Sequence, residues 1–170
     1  MTRASLIFFE HPTRLLGSRG ARRSDFDEGL RDIRRTDAGF DPTRFAGYAG
    51  MMFRDAQLAW TSRDFGSLRD RIMRALHSEL QTRSEAMRAR LRVNRVEEVE
   101  ITAEVTEASQ EDGRDYVTAH ITGSLVDYTI DEVGGGVVEG SATVPRAVQE
   151  FWTFTRPAGL NFWMLSAIET

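Results

Sequence analysis

The groups in this chain that could move a proton or hold a cation are 3 histidines, 3 tyrosines and 26 carboxylates. His11, His77 and His120 lack a metal-ligand spacing. Only His77 has a carboxylate two to four residues away, Glu79, and no HExxH or EF-hand pattern occurs. The absence of cysteine removes disulfides, thiolate metal sites and cysteine nucleophiles. All 22 basic residues are arginine, which excludes Schiff-base chemistry and a P-loop lysine. No GxSxG elbow is present. Glu98, Glu100 and Glu104 alternate along a strand-like segment, the pattern of a solvated face rather than a cation site. One proton-transfer set survives: His120, Tyr128 and Glu150 as acid and base in the mouth of a folded cup. Strand parity opposes it, because His120 falls opposite the apolar set of its own strand. No metal and no cofactor is expected.

The elements that would position such groups read clearly. Asp25 to Thr36 fits a helix with Phe26, Leu30 and Ile33 on one face, acids in its first turn and Arg34, Arg35 in its last. Asp41-Pro42 is an N-cap followed by proline at the first helical position. Behind it Phe45, Ala49, Met52, Ala56 and Trp60 form one apolar stripe, a core face in a domain of this size. Asp64 is read as the cap of a third helix carrying Leu68, Ile72 and Leu76. Ser78 with Gln81 resembles a capping box opening a fourth, with Leu80, Met87 and Leu91.

From Val96 the period changes from 3.6 to 2. Val99, Ile101, Ala103 and Val105 alternate with polar residues, Asp112-Gly113 suits a hairpin, and a long strand follows. Its apolar set changes phase around Gly123-Ser124, which predicts a bulge or sharp bend. Gly134-Gly135-Gly136 reads as the next turn, since it lacks the lysine and the helix of a phosphate cradle. Strands over 147–156 and 161–169 close the chain. The layout is α+β, with N-terminal helices packed on a strongly curved antiparallel sheet. Residues 1–24 form a basic N-terminal arm and 25–170 the domain.

With 170 residues, one domain is expected. No apolar run approaches the length of a membrane span, and Leu6 to Phe9 is too short for a signal peptide. Charge is uneven. Residues 1–95 hold 19 arginines and 12 acids, while 96–170 hold 3 arginines and 14 acids, for net charges of +7 and −11. Such polarity points to an anionic partner for the first half, or to mutual neutralisation of the halves. An excess of +7 is modest for a nucleic-acid binder, and no nucleic-acid partner is expected.

The ending Phe151-Trp152-Thr153-Phe154-Thr155-Arg156-Pro157, then Trp163-Met164-Leu165-Ser166-Ala167-Ile168, resembles the closing strand pair of Tim44-like domains. Ile33 to Asp37, Phe40, Asp41 and Phe45 resemble the start of that family's long helix. Ala59-Trp60, Arg63-Asp64, Leu68-Arg69 and Ser78-Glu79-Leu80 resemble the segment after it, and Leu16-Gly17-Ser18-Arg19 a bacterial Leu-Gly-x-Arg segment. The resemblance implies an NTF2-like cone and a non-catalytic binding or scaffold module. It also implies a peripheral place on an inner membrane, bacterial cytoplasmic or mitochondrial, with links to protein transport or complex assembly. Mitochondrial relatives tether a chaperone motor to a translocase and bind anionic lipid. The membrane anchor usual in bacterial members and the charged chaperone-binding region have no counterpart in this sequence, so motor tethering is not carried over.

On this reading Arg19, Arg22, Arg23, Arg34 and Arg35 would meet an anionic phospholipid surface or a membrane protein complex. Tyr128, Trp152, Phe154 and Trp163 would line the cone mouth around an apolar ligand or partner segment. A homo-oligomer stays open. The alternative function is a small-molecule-binding or isomerase-like enzyme using the cavity of the cone.

Overall fold

A computed structural model describes residues 19–170, with side chains from Arg23 onward. The arm over residues 1–18 therefore lies outside the described residues, as do the side chains of Arg19 and Arg22. Helix α1 (Arg19–Thr36) begins six residues before the Asp25 start read from the sequence. Helix α2 (Pro42–Ser62) starts as predicted, with the Asp41 carboxylate accepting from the Thr43 and Arg44 N–H groups at 2.8 and 3.1 Å. Its stripe from Phe45 to Trp60 is buried. Arg63 closes it in the left-handed region at φ 56°.

One correction concerns the next two helices. A 3-10 turn (Gly66–Leu68) is followed by a single helix, α3 (Arg74–Ala89). Ile72 pairs in parallel with Leu165, so the chain around it is extended and the helix begins only at Arg74. Ser78 then sits inside α3 and caps nothing, because no glycine or proline breaks the segment there.

Five antiparallel strands follow: β1 (Arg92–Glu111), β2 (Arg114–Asp131), β3 (Val137–Gly140), β4 (Arg146–Pro157) and β5 (Met164–Glu169). The order is β1-β2-β4-β5, with β3 extending the β2 side. Asp112 and Gly113, at φ 49° and 74°, make the first hairpin turn. The bend falls where the sequence places it, but the extra residue is on the partner strand. The β1 register shifts between Glu97 and Glu100 opposite residues 124–126, and β2 pairs with β4 unbroken from Arg114 to Leu125. Gly123, at φ +150°, lies where a Cβ would run into the Glu100 carbonyl, so the bend requires glycine.

Helices α1 and α2 pack across β1, and α1 comes so close that a Cβ at Gly29 would strike the Ala108 carbonyl. Between helices and sheet lies a core that includes Trp152, Phe53, Phe65, Phe154, Ile33 and Met52. The result is the α+β, NTF2-like cone expected from the sequence.

Candidate functional site

Residues 151–157 are read best from Arg156 outward. Its side chain is buried, yet it is charged at any accessible pH, so it must be paired. Nε donates to Asp115 Oδ2 at 2.8 Å and Nη2 to Asp37 Oδ2 at 2.9 Å. Asp115 is itself fully buried on β2, and Asp37 stands just past α1. The guanidinium also lies 4.3 Å from the Trp163 ring centroid. One side chain thus ties the end of α1, strand β2 and the β4–β5 loop together.

Above this clamp the rings of Phe40, Phe45, Tyr48, Phe154 and Trp163 meet at centroid distances of 5.0–5.8 Å. Phe40 is placed by the turn between α1 and α2, where Arg34 Nε donates to its carbonyl at 3.1 Å. Phe45 and Tyr48 come from the first turns of α2. Burial pushes the Tyr48 phenol above its ordinary 10, against the opposing effect of Arg71. The phenol therefore keeps its proton and donates to the Trp163 carbonyl at 3.4 Å.

The rings of Phe40, Phe45, Tyr48 and Trp163 floor a hollow of about 660 Å³, with Asp41, Arg44, Asp70 and Arg71 at its rim. Phe162 forms one wall while standing 93% exposed, and Leu160 in the same loop is 86% exposed. Two large apolar side chains thus project into water beside an aromatic hollow. The carboxylates that line the hollow are Asp41, which caps α2, Asp37, which pairs with Arg156, and Asp70, which stands exposed. Among the described residues no group of three His, Asp or Glu side chains could hold a metal ion.

The four aromatic residues predicted for the mouth are placed differently from one another. Trp163 lines the hollow. Phe154 lies beneath it, edge-on to Phe45 at 5.3 Å and fully buried. Trp152 belongs to the closed core, 5.4 Å from Phe53, with its N–H donated to Glu150 Oε2 at 2.9 Å. Tyr128 is at the far end of β2, where its hydroxyl donates to Glu97 at 2.8 Å.

The structure also separates the set His120, Tyr128 and Glu150. His120 stacks on Phe151 at 4.4 Å on the outer sheet face, whereas Glu150 pairs with Ile121 and faces the core. His120 and Tyr128 stand eight residues apart on one strand, about 26 Å. Burial holds the Glu150 carboxyl above its ordinary 4.5, with the Trp152 bond and Arg146 opposing it.

The basic residues divide too. Arg23 lies in the first half of α1, and Arg34 and Arg35 in its last turn, about 16 Å further along the axis. Arg35 pairs with Asp32 at 2.8 Å. Mutual neutralisation accounts for part of the charge asymmetry, since Arg63 meets Glu132 at 2.7 Å and Arg92 meets Asp131 at 3.4 Å. Phe40, Tyr48 and Phe162 are functional candidates missed in the sequence. The exposed Leu-Asn-Phe after Pro157-Ala158-Gly159 was the available signal, as an apolar pair inside a turn segment.

Residues 26–170 match the Tim44-like domain. Among solved structures, the chain is similar to the crystal structure of the intermembrane space region of the chloroplast protein ARC6. The TM-score is 0.55 at 10% identity, over 76% of this chain and 95% of that one, a likeness of fold. No curated protein matches the sequence.

Proposed function

The chain belongs to the Tim44-like domain family, and from that premise we propose that it is a non-catalytic module docking peripherally on an anionic membrane surface, where it organises a membrane-bound protein assembly. The carrying observation is the β4–β5 loop. Leu160 and Phe162 stand exposed at 86% and 93% over an aromatic hollow, with Arg44 at its rim and Arg34 and Arg35 on the adjoining end of α1. Burying each apolar side chain in lipid is worth about 1.5–3 kcal/mol. Each arginine near an anionic surface adds about 1 kcal/mol. Trp163, half-buried behind Phe162, suits the headgroup level where tryptophan concentrates. No described helix is long and apolar enough to cross a membrane, so contact of this kind would be through the loop.

Of the predicted basic set, Arg34 supports this reading, because its Nε donates to the carbonyl of Phe40 in the hollow's lining, and Arg44 stands at the rim. The hollow suits an apolar group from the same surface. The rim also carries Asp41 and Asp70, so the apolar term is the larger one and the arginines select for anionic lipid. Co-sedimentation with vesicles of neutral lipid, and of neutral lipid mixed with anionic lipid, tests the reading across a salt series. Binding should need the anionic component and weaken with salt; equal binding to neutral vesicles would reject it.

A further inference from the structure

A second groove lies on the outer face of the sheet. It has a volume of about 720 Å³, and its floor is built from Tyr116, Thr118, Phe151, Thr153 and Ala167. Asp25 and Phe26 of α1 form one bank. Every ionisable group in its lining other than Tyr116 is a carboxylate: Asp25, Glu107, Glu111 and Glu169. Arg114, the register partner of Glu111, donates to Thr155 Oγ1 at 3.2 Å and lines no part of the groove. The groove is therefore apolar-floored, hydroxyl-lined and negative, which defines an occupant that is cationic and partly apolar.

The same chain carries a corner of that character where α3 ends and β1 begins. Arg63 and Arg92 are answered there by Glu132 and Asp131. Arg88, Arg90 and Arg95 stand exposed, and Arg88 Nη2 donates to the Arg63 carbonyl at 3.2 Å. Arg63 first, then Arg88 and Arg95, hold the Glu132 carboxyl below its ordinary 4.5, so these guanidinium groups gather round one point. Glu97, two residues beyond Arg95, accepts from the Tyr128 hydroxyl at 2.8 Å. Between Arg90 and Arg92 stands Leu91, just past the cap of α3, where glycine is usual. It lies in the left-handed region at φ 54° and is 52% exposed. An apolar side chain thus projects into water from the middle of an arginine cluster.

We propose that the groove of one copy takes the Arg88–Arg95 corner of a second copy, so that the chain associates with itself head to tail. Leu91 enters over the floor, the arginine stems lie along it, and the guanidinium heads meet the carboxylates. Two observations select a second copy. First, the charges are complementary, acids alone in the lining against an arginine cluster at the corner. Second, the two surfaces lie at opposite ends of β1. Arg92 and Glu107 are separated by about 50 Å of strand, so corner and groove of one folded copy do not meet. Because the two patches differ, the contact is heterologous, and each copy keeps a corner for the next and a groove for the one before. This inference does not depend on the membrane reading, and its test uses no lipid.

Sedimentation velocity of the full-length chain, over a concentration series in low salt, should show species larger than a dimer. They should dissociate at about 1 M salt, where the screening length falls to about 3 Å. A chain that stays monomeric throughout, or association indifferent to salt, would overturn the proposal. Leu91→Asp alters the corner alone, and aspartate tolerates the left-handed backbone. Asp25→Arg with Glu111→Arg alters the groove alone, at two exposed positions. Each variant, with a parent-like melting temperature, should associate at least about tenfold more weakly. Arg95→Glu and Glu169→Gln replace them if either variant melts lower. An equimolar mixture of the corner variant and the groove variant should form dimers and nothing larger. The intact groove of the first meets the intact corner of the second, and the two altered patches stop further growth. Parent-like association of either variant alone, or a mixture that stays monomeric or grows past the dimer, would contradict head-to-tail docking.

Discussion

The hollow beneath the β4–β5 loop and the groove on the outer sheet face are nearly equal in volume, about 660 and 720 Å³, yet they are built on opposite principles. The hollow is assembled from three parts of the chain distant in sequence and is pinned by one buried ion cluster. The groove is a property of the sheet itself, its floor made of side chains that alternate out of β1, β2, β4 and β5. A surface of the first kind is rigid and depends on a few residues. A surface of the second kind survives the loss of any single side chain but depends on α1 for its bank. Sign separates them as well: the hollow has Arg44 and Arg71 on its rim beside Asp41 and Asp70, while the groove has acids alone.

The largest effect should come from breaking the pin. Arg156→Met leaves the buried Asp115 carboxylate without its cation, an error that costs about 3–5 kcal/mol. Urea unfolding should show that loss, and the Trp163 environment should change more than the outer-face resonances. A stability unchanged within 0.5 kcal/mol would mean the hollow is not held by this cluster.

Gly29→Ala attacks the other region. Alanine would ordinarily favour a helix interior by 0.5–1 kcal/mol. Here its Cβ meets the Ala108 carbonyl, which is backbone and cannot turn aside. The clash should win, for a net loss of about 1–3 kcal/mol, with the largest amide shift changes along β1 near Ala108. A stabilised variant would show that α1 is not seated as described.

Glu150 lies in the core and lines neither region, and its effect is smaller. Burial raises its folded value above the ordinary 4.5. A raised carboxyl favours the folded state below its unfolded value, and that contribution is lost as pH rises through the folded one. Glu150→Gln keeps a carbonyl oxygen for the Trp152 N–H and removes the ionisation. The variant should therefore melt higher than the parent at pH 8, with the gap closing towards pH 4. A gap that widens on acidification would reverse the sign and contradict the assignment.

Much of this architecture is legible in the sequence where the signal is local. Asp41-Pro42, the stripe from Phe45 to Trp60, the Asp112-Gly113 hairpin and the glycine at position 123 each state their role within a few residues. Signals that tertiary pairing overrides are misread. Ser78 and Gln81 have the spacing of a capping box, but the bridge between Ile72 and Leu165 decides where the helix begins. The hollow was visible only in part, through Trp163. Trp152 and Trp163 belong to one sequence signature, yet strand parity turns the first into the core, and the second stacks on Arg156 at the surface. Phe40, Tyr48 and Phe162 come together across about 120 residues, and no pattern within one element announces such a meeting.

Leu160→Asp with Phe162→Asp should change stability least, within about 0.5 kcal/mol, because both side chains stand in water. The same pair gives the most direct test of membrane docking through this loop. In co-sedimentation with anionic vesicles, the double variant should bind at least about tenfold more weakly than the parent, the fold-change for losing 1.4 kcal/mol of apolar transfer. Parent-like binding by a folded double variant would contradict it.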